Sequence, residues 1–304
     1  MQSAALSPNE ALRQVSLQIA GRVVRFAPAD ASVAFSVSGV RSSFVVDDST
    51  EADCVVTCEY GEPEPGGSPL LDEGAPLWEL RRQESGEDEI TFFAPIDGVR
   101  APWSQLVVEP SFRRARLIQR RDWGGHPLLR IGYPVDEILV CRLLMSQGVL
   151  VVHGATVQFD DMTLLFTGHS GAGKSTIAAI AESAGARVLS DDRSIVSVRD
   201  STATVWGTPW HGTHRRGSPA PAVLTAMFLL VQANEDRAER LSPARATGEL
   251  LVRLIHPGPQ PADMERLIDA VAAVAERVPM AELRFRPAVT AFQVAAEFAR
   301  SVRA

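Results

Sequence analysis

The residues with the clearest chemistry are Gly168-His169-Ser170-Gly171-Ala172-Gly173-Lys174-Ser175, a complete G-x-x-x-x-G-K-[ST] pattern. An apolar run precedes it and a helix-forming run follows, as a phosphate loop requires. Gly168, Ser170, Gly171, Ala172 and Gly173 let backbone N–H groups turn inward around a β-phosphate, and the helix N-terminus behind them adds partial positive charge. Lys174 is placed to reach the β- and γ-phosphates, Ser175 to ligate Mg²⁺, and Thr176 to follow on the same turn. The ligand read from this pattern is a nucleoside triphosphate with Mg²⁺. A serine-esterase elbow is excluded locally, because Ala172 stands where G-x-S-x-G needs glycine.

A second cluster is Asp191-Asp192, 17 positions after Lys174 (191 − 174). A strand, loop, helix and strand of that size return the chain parallel to its start. Both carboxylates then emerge at the same sheet edge as the loop. One of the two, with Asp192 the choice, can hold the metal beside Ser175; the other can orient or deprotonate a hydroxyl. The plainer alternative is a turn carrying two solvated acids. His153 sits in Val151-Val152-His153-Gly154-Ala155, one hairpin before the loop, and taken alone such a histidine belongs to the core. The segment Gly207 to Gly217 carries His211, His214, Arg215 and Arg216 and has the makeup of a lid or substrate-binding loop. Either arginine could stabilise charge on a transferring phosphoryl group, or lie on a solvated surface.

Of the 30 basic residues, 29 are arginines and one, Lys174, is lysine. A compact ammonium on a flexible stem survives at the position where a planar fork is the poorer substitute.

These residues need a frame. The first half reads as short β-strands: Val15–Phe26, Val33–Val37, Ser43–Val46, Cys54–Glu59, Glu89–Phe93, Leu106–Glu109 and Arg114–Gln119, separated by turn-formers. Asp47, Asp48 and Asp53 read as turn acids rather than a metal cluster. A helix from Pro134 to Gln147 changes the pattern. Strands Val149–Phe159 and Met162–Thr167 follow, then the loop, a helix Lys174–Ser183 and a strand Arg187–Leu189. Next come a hairpin of Ser194–Val198 and Thr204–Trp206, a buried strand Leu224–Val231, and a helix from Ser242-Pro243 to about Ile255. Ala262–Arg277, Glu282–Phe285 and Val289–Val302 complete a helix–strand–helix tail. The class is α/β with a β-rich N-terminal module over 1–130 and a catalytic domain over 131–304, the boundary falling within 125–135.

Composition narrows the class further. With 304 residues, 45% of them hydrophobic, the chain can fill a substantial core. A net charge of −7 argues against nucleic acid or an anionic membrane as partner. No apolar run approaches the roughly 20 residues that span a bilayer, and Met1 to Ala20 lacks the basic-then-apolar order of a signal peptide. Cys54, Cys58 and Cys141 match no zinc spacing and read as reduced thiols of a cytoplasmic protein.

In order and spacing, His153-Gly154-Ala155, the loop Gly168 to Ser175, Gly185-Ala186-Arg187 and Asp191-Asp192 resemble the catalytic domain of bacterial HPr kinase/phosphorylase. They are closer still to HPr-kinase-like proteins, some of which tailor lasso peptides. The resemblance covers about residues 135–290. It implies a P-loop kinase domain of the HPr-kinase-like type and ATP- and Mg²⁺-dependent phosphorylation of a serine hydroxyl on a peptide or protein. It assigns one of Asp191 and Asp192 as base and His153 as the active-site histidine, and it permits a homo-oligomer. The family's glycine-rich signature is not visible; Trp206-Gly207-Thr208-Pro209-Trp210-His211-Gly212 stands in that stretch, so neither HPr recognition nor phosphorolysis is implied. The other readings are a nucleotide-binding sensor with little catalysis, a hydrolase that uses water, and a small-molecule kinase.

Overall fold

The computed structural model describes residues 11–121 and 128–303. The first ten residues of the Met1–Ala20 stretch, and 125–127 of the expected boundary, lie outside the described residues. The chain forms two compact units, Met1–Leu143 and Leu144–Ala304.

In chain order the strands of the first unit are β1 (Val15–Ile19), β2 (Arg22–Pro28), β3 (Phe35–Ser36), β4 (Val45–Val46), β5 (Cys54–Tyr60), β6 (Leu70–Gly74), β7 (Trp78–Arg82), β8 (Asp88–Ile96), β9 (Val99–Val108), β10 (Arg114–Gln119) and β11 (Leu129–Arg130). Helix α1 (Val135–Met145) follows, and the division between units falls near its end. Nine strands form one sheet in the order β4-β1-β2-β5-β10-β9-β8-β7-β6, while β3 and β11 pair separately. The single run expected over Val15–Phe26 is two strands, because Ala20 and Gly21 both take positive φ (49° and 76°) and close a two-residue hairpin. The expected strand at Ser43–Val46 shrinks to β4, since Gly39–Phe44 winds into a 3-10 helix. Strands β6 and β7 escape sequence reading because both faces of β6 are largely exposed and no apolar alternation marks it. Asp47 caps Ser49, Asp48 accepts from Ser16, and Asp53 pairs with Arg22, so the three acids serve separate turns.

The second unit contains β12 (Leu150–Phe159), β13 (Met162–Thr167), α2 (Lys174–Ser183), β14 (Arg187–Ser190), β15 (Arg193–Arg199), β16 (Thr202–Trp206), β17 (Ala222–Val223), β18 (Ala226–Gln232), β19 (Arg237–Arg240), α3 (Pro243–Leu251), α4 (Pro261–Arg277), β20 (Met280–Phe285) and α5 (Val289–Ser301). Its sheet runs β17-β16-β15-β12-β13-β18-β20-β19, with β14 also on β12. The neighbours β13, β18 and β20 pair with one another in parallel. Strand β14 runs antiparallel to β12, which is itself antiparallel to β13, so β14 does return parallel to β13, with β12 between them.

Alternation along the central strands splits the core in two. Leu164, Phe166, Ala226 and Phe228 face Ile177 and Ala181 of α2 and Phe292 and Ala295 of α5. Leu165, Met227 and Leu229 face Ala246 and Leu250 of α3 and Leu267, Val271 and Val274 of α4. The Phe166 and Phe228 rings stack at 5.2 Å. The unit is a helix–sheet–helix sandwich, a mixed α/β structure.

Cys54, Cys58 and Cys141 are all buried, and none forms a disulfide. Burial pushes the Cys54 thiol up to about 12 and Cys58 higher still. A thiolate reagent should therefore leave all three unmodified in the native protein at pH 8 and titrate them only after denaturation; labelling that precedes unfolding would contradict their place in the core.

Candidate active site

The site is organised by β12. Its first half, Leu150–His153, pairs with β15, and its second half, Thr156–Gln158, pairs with β14. Between them the neighbouring chain must step across Asp191 and Asp192, and the register shifts at Thr156/Val157. Gly154 N–H donates to Asp192 O at 2.9 Å, fixing that step against β12. On the other edge Gly154 pairs with Thr167, the last residue before the glycine loop. Thr167 Oγ1 donates to His153 O at 2.8 Å. His153, the loop and the aspartate pair thus share one end of the sheet.

The loop turns at Gly171 and Gly173, with φ of 79° and 103°. At Gly173 a Cβ would also lie 2.6 Å from the Phe285 ring. Helix α2 opens without a side-chain cap and without an acid in its first turn. By contrast, α3 is capped by Ser242, and α4 by the reciprocal Gln260–Asp263 box. Helix α5 is uncapped too, so an open end alone decides nothing. What distinguishes α2 is the glycine loop wrapped over its free N–H groups. Lys174 is buried, and its Nζ donates to Gly168 O (2.9 Å) and His169 O (3.0 Å), two of its three donors. Ser175 is half-buried and Thr176 exposed on that turn. Ser170 and Gly171 lie exposed on the loop and Ala172 is half-buried.

Asp191 and Asp192 diverge, as adjacent residues on extended chain do. Asp191, 1% exposed, accepts from Gly212 N–H (3.0 Å) and His214 N–H (2.8 Å), holding the Gly207–Gly217 loop. Asp192 turns the other way: its Oδ1 lies 3.5 Å from His153 Nδ1 and its Oδ2 bonds Arg193. Burial depresses the Lys174 ammonium, Asp192 opposes that, and Arg253 reinforces it. Burial, then Lys174, lowers His153 below 6.5, while Asp192 pulls it upward.

The loop expected as a lid is two parts. Gly207 to Trp210 is buried; a Cβ on Gly207 would lie 1.9 Å from Leu189 O. His211, His214, Arg215 and Arg216 are exposed. Arg216 pairs with Glu182 at 2.9 Å, about 12 Å along α2 from Lys174 at 1.5 Å per residue. The structure does not bring that guanidinium to the glycine loop.

One residue at the site was missed by sequence reading. Arg253, 6% exposed, sits beyond α3, bonds Glu249, and lies 3.3 Å through Nη2 from His169 Nε2 on the loop. Its backbone O accepts from His153 N–H. Its Nε is buried without a partner. Nothing in its spacing marks it, since it joins the site through a bridge between Val152 and Leu254.

The donors fit a magnesium triphosphate. Ser175 Oγ and the Asp192 carboxylate are hard oxygen donors, the type Mg²⁺ takes when one or two carboxylates are joined by phosphates and water. No three His, Cys, Asp or Glu side chains among the described residues are grouped as a protein-only metal site. Lys174 and the unpartnered Arg253 Nε supply cationic donors around the loop.

No protein-family model matches the chain, and no curated protein does. Among solved structures, the HPr(Ser) kinase/phosphatase from Coxiella burnetii is similar to half of it. The match covers 51% of this chain and 99% of that one, at 10% identity and a TM-score of 0.32. At that score the backbones follow one another too loosely for residue roles to pass between them. No helix among the described residues is long and apolar enough to cross a membrane.

Two outcomes test the geometry. Losing the Asp191 carboxylate removes two charge-assisted hydrogen bonds, each about 1.5–3 kcal/mol, so Asp191→Ala should speed tryptic cleavage at Arg215 and Arg216 at least about tenfold, and Asp192→Ala should not. For His153, a lowered value means the folded protein binds its proton only below the pH at which the unfolded chain does. Stability is therefore lost as pH falls through 6.5. Its NMR titration midpoint should rise in Lys174→Ala and fall in Asp192→Asn; no movement in either variant would refute the electrostatic grouping.

Proposed function

We propose that this protein is an ATP- and Mg²⁺-dependent kinase whose acceptor is a hydroxyl, with a serine of a peptide or protein the substrate class. The observation that carries the reading is the Asp192–His153 pair, 3.5 Å apart at the sheet edge that also holds the glycine loop. A phosphate loop alone suits motors, switches and kinases alike. A carboxylate and a neutral imidazole held beside it suit a hydroxyl that must be oriented and deprotonated.

Lys174 would neutralise the β- and γ-phosphates, and the N–H groups opening α2 would cradle them. Ser175 and Asp192 would hold Mg²⁺, whose chemistry when bound is to offset the charge on the phosphates. His153, held in place by Asp192, would receive the acceptor proton as the hydroxyl oxygen bonds the γ-phosphorus and ADP departs. Asp191 would act through the loop it holds, shaping the wall against which an acceptor lies. The buried Gly207–Trp210 anchor and the exposed side chains of His211, His214 and Arg215 would let this segment, held by Asp191, present a surface to a substrate.

The test is incubation with γ-labelled ATP, Mg²⁺ and a panel of serine-containing peptides, read by mass spectrometry. Phosphoserine should form, and Lys174→Ala and Asp192→Asn should each slow it about 100-fold or more, the scale of a lost charge-stabilising contact. Release of inorganic phosphate alone would make the protein a hydrolase. An intact γ-phosphate after hours would make it a nucleotide sensor.

A further inference from the structure

Strand β6 (Leu70–Gly74) is the last of the nine in the N-terminal sheet, and among the described residues it pairs with β7 alone. The edge of a sheet presents a row of N–H and C=O groups to any chain that lies alongside. We infer that this edge is a docking strip for an extended, basic peptide segment of a partner, which joins the sheet as a further strand. The inference concerns the N-terminal unit and stands independently of the kinase reading.

Three observations carry it. The first is apolar surface. Leu70, Leu71 and Leu77 are 45%, 47% and 40% exposed, and Val99 is 67% exposed. Arg100 Nε donates to Pro76 O at 3.0 Å, which ties the β8–β9 turn to the β6–β7 turn. Four of the nine large apolar side chains exposed among the described residues therefore lie on β6 or at the two turns beyond its end. The register shifts between Leu70 and Asp72, which leaves Leu71 without a partner on β7. The second observation is on the backbone. Glu73 N–H donates to the adjacent Asp72 carboxylate at 2.8 Å. The carbonyl of an added strand would take that place and release the carboxylate for a cation.

The third is charge, and it selects the occupant. Residues 51–90 hold twelve acids and two arginines, a net of −10 (2 − 12), while the rest of the chain sums to +3 (−7 + 10). Both arginines are taken, Arg81 by Glu79 and Arg82 by Asp88. Glu64 ahead of β6, Glu73 within it and Glu84 in the β7–β8 turn make no ion pair among the described residues. A second copy laid along β6 would set Asp72 and Glu73 against their own kind, and like charges on neighbouring strands repel. Residues 1–10 and 122–127 contain neither arginine nor lysine, so neither supplies the complement. A basic strand does. Its backbone would bond the edge, its arginines or lysines would meet the carboxylates, and its apolar side chains would cover Leu70 and Leu71.

The probe is a fluorescent peptide of alternating arginine and valine, with binding to the full chain read by anisotropy. One control alternates glutamate and valine; the other is the arginine peptide with every second amide N-methylated, which removes the donors of one strand edge. The arginine peptide should bind saturably, at least about tenfold more tightly than either control. Leu71→Lys and Glu73→Lys should each weaken it about tenfold or more. Glu239→Lys on β19, the edge of the other sheet, should leave it within about twofold. Without any substitution, the peptide should slow hydrogen exchange in Leu70–Gly74 of the wild type. No saturable binding, equal binding of either control, unchanged binding in a folded Glu73→Lys, or protection confined elsewhere would each overturn the docking strip. Protection of Leu70–Gly74 that grows with protein concentration and needs no peptide would overturn it too, giving the edge to a second copy.

Discussion

The pairing of β12 with a broken partner strand is the constraint on which the site depends. One continuous strand, Leu150–Phe159, is held on one edge by β13 and on the other by β15 and then β14. The partner cannot stay in register through that junction, and the residues that take up the mismatch are Asp191 and Asp192. Gly154 is the pivot: its N–H holds Asp192 O, and a side chain there would meet Leu165 at 2.9 Å and Phe166 O at 3.0 Å. Two carboxylates are thus delivered beside the loop by backbone geometry, before any ligand is present.

Electrostatics then divides the labour. Asp191 spends both oxygens on backbone N–H groups and serves as a clamp. Asp192 faces a buried ammonium and an imidazole that burial keeps from protonating. Unlike charges close together in a partly desolvated pocket interact far more strongly than at an exposed surface. Arg253 adds a further cation, anchored by Glu249 across one helical turn and aimed at the loop.

Much of this frame could be read from sequence. Strand β13 and helix α2 have the bounds expected for them, because a glycine loop between an apolar run and a helix former leaves little freedom. The hairpin of β15 and β16 turns at Asp200 and Ser201, both with positive φ, between the strands expected over Ser194–Val198 and Thr204–Trp206. Helix α3 stops at Leu251, short of Ile255, because Leu254 and Ile255 leave the helix to bridge β12. Strand β19 carries mostly exposed charged residues at the sheet edge and shows no apolar signature. The different fates of Asp191 and Asp192 were illegible for a related reason: side-chain direction at this step depends on Gly154, 38 residues away (192 − 154). Arg253 belongs to the site through tertiary contact alone, and no local pattern foretells it.

Because Lys174 is the single lysine in 304 residues, one spectrum addresses the central claim. With ¹³C-labelled lysine, the protein gives one side-chain Cε resonance, and it reports directly on the ammonium in the loop. The account predicts that MgATP shifts that resonance saturably, and that AMP, which lacks β- and γ-phosphates, leaves it where it was. A Lys174 signal unmoved through millimolar MgATP would contradict the account at its foundation.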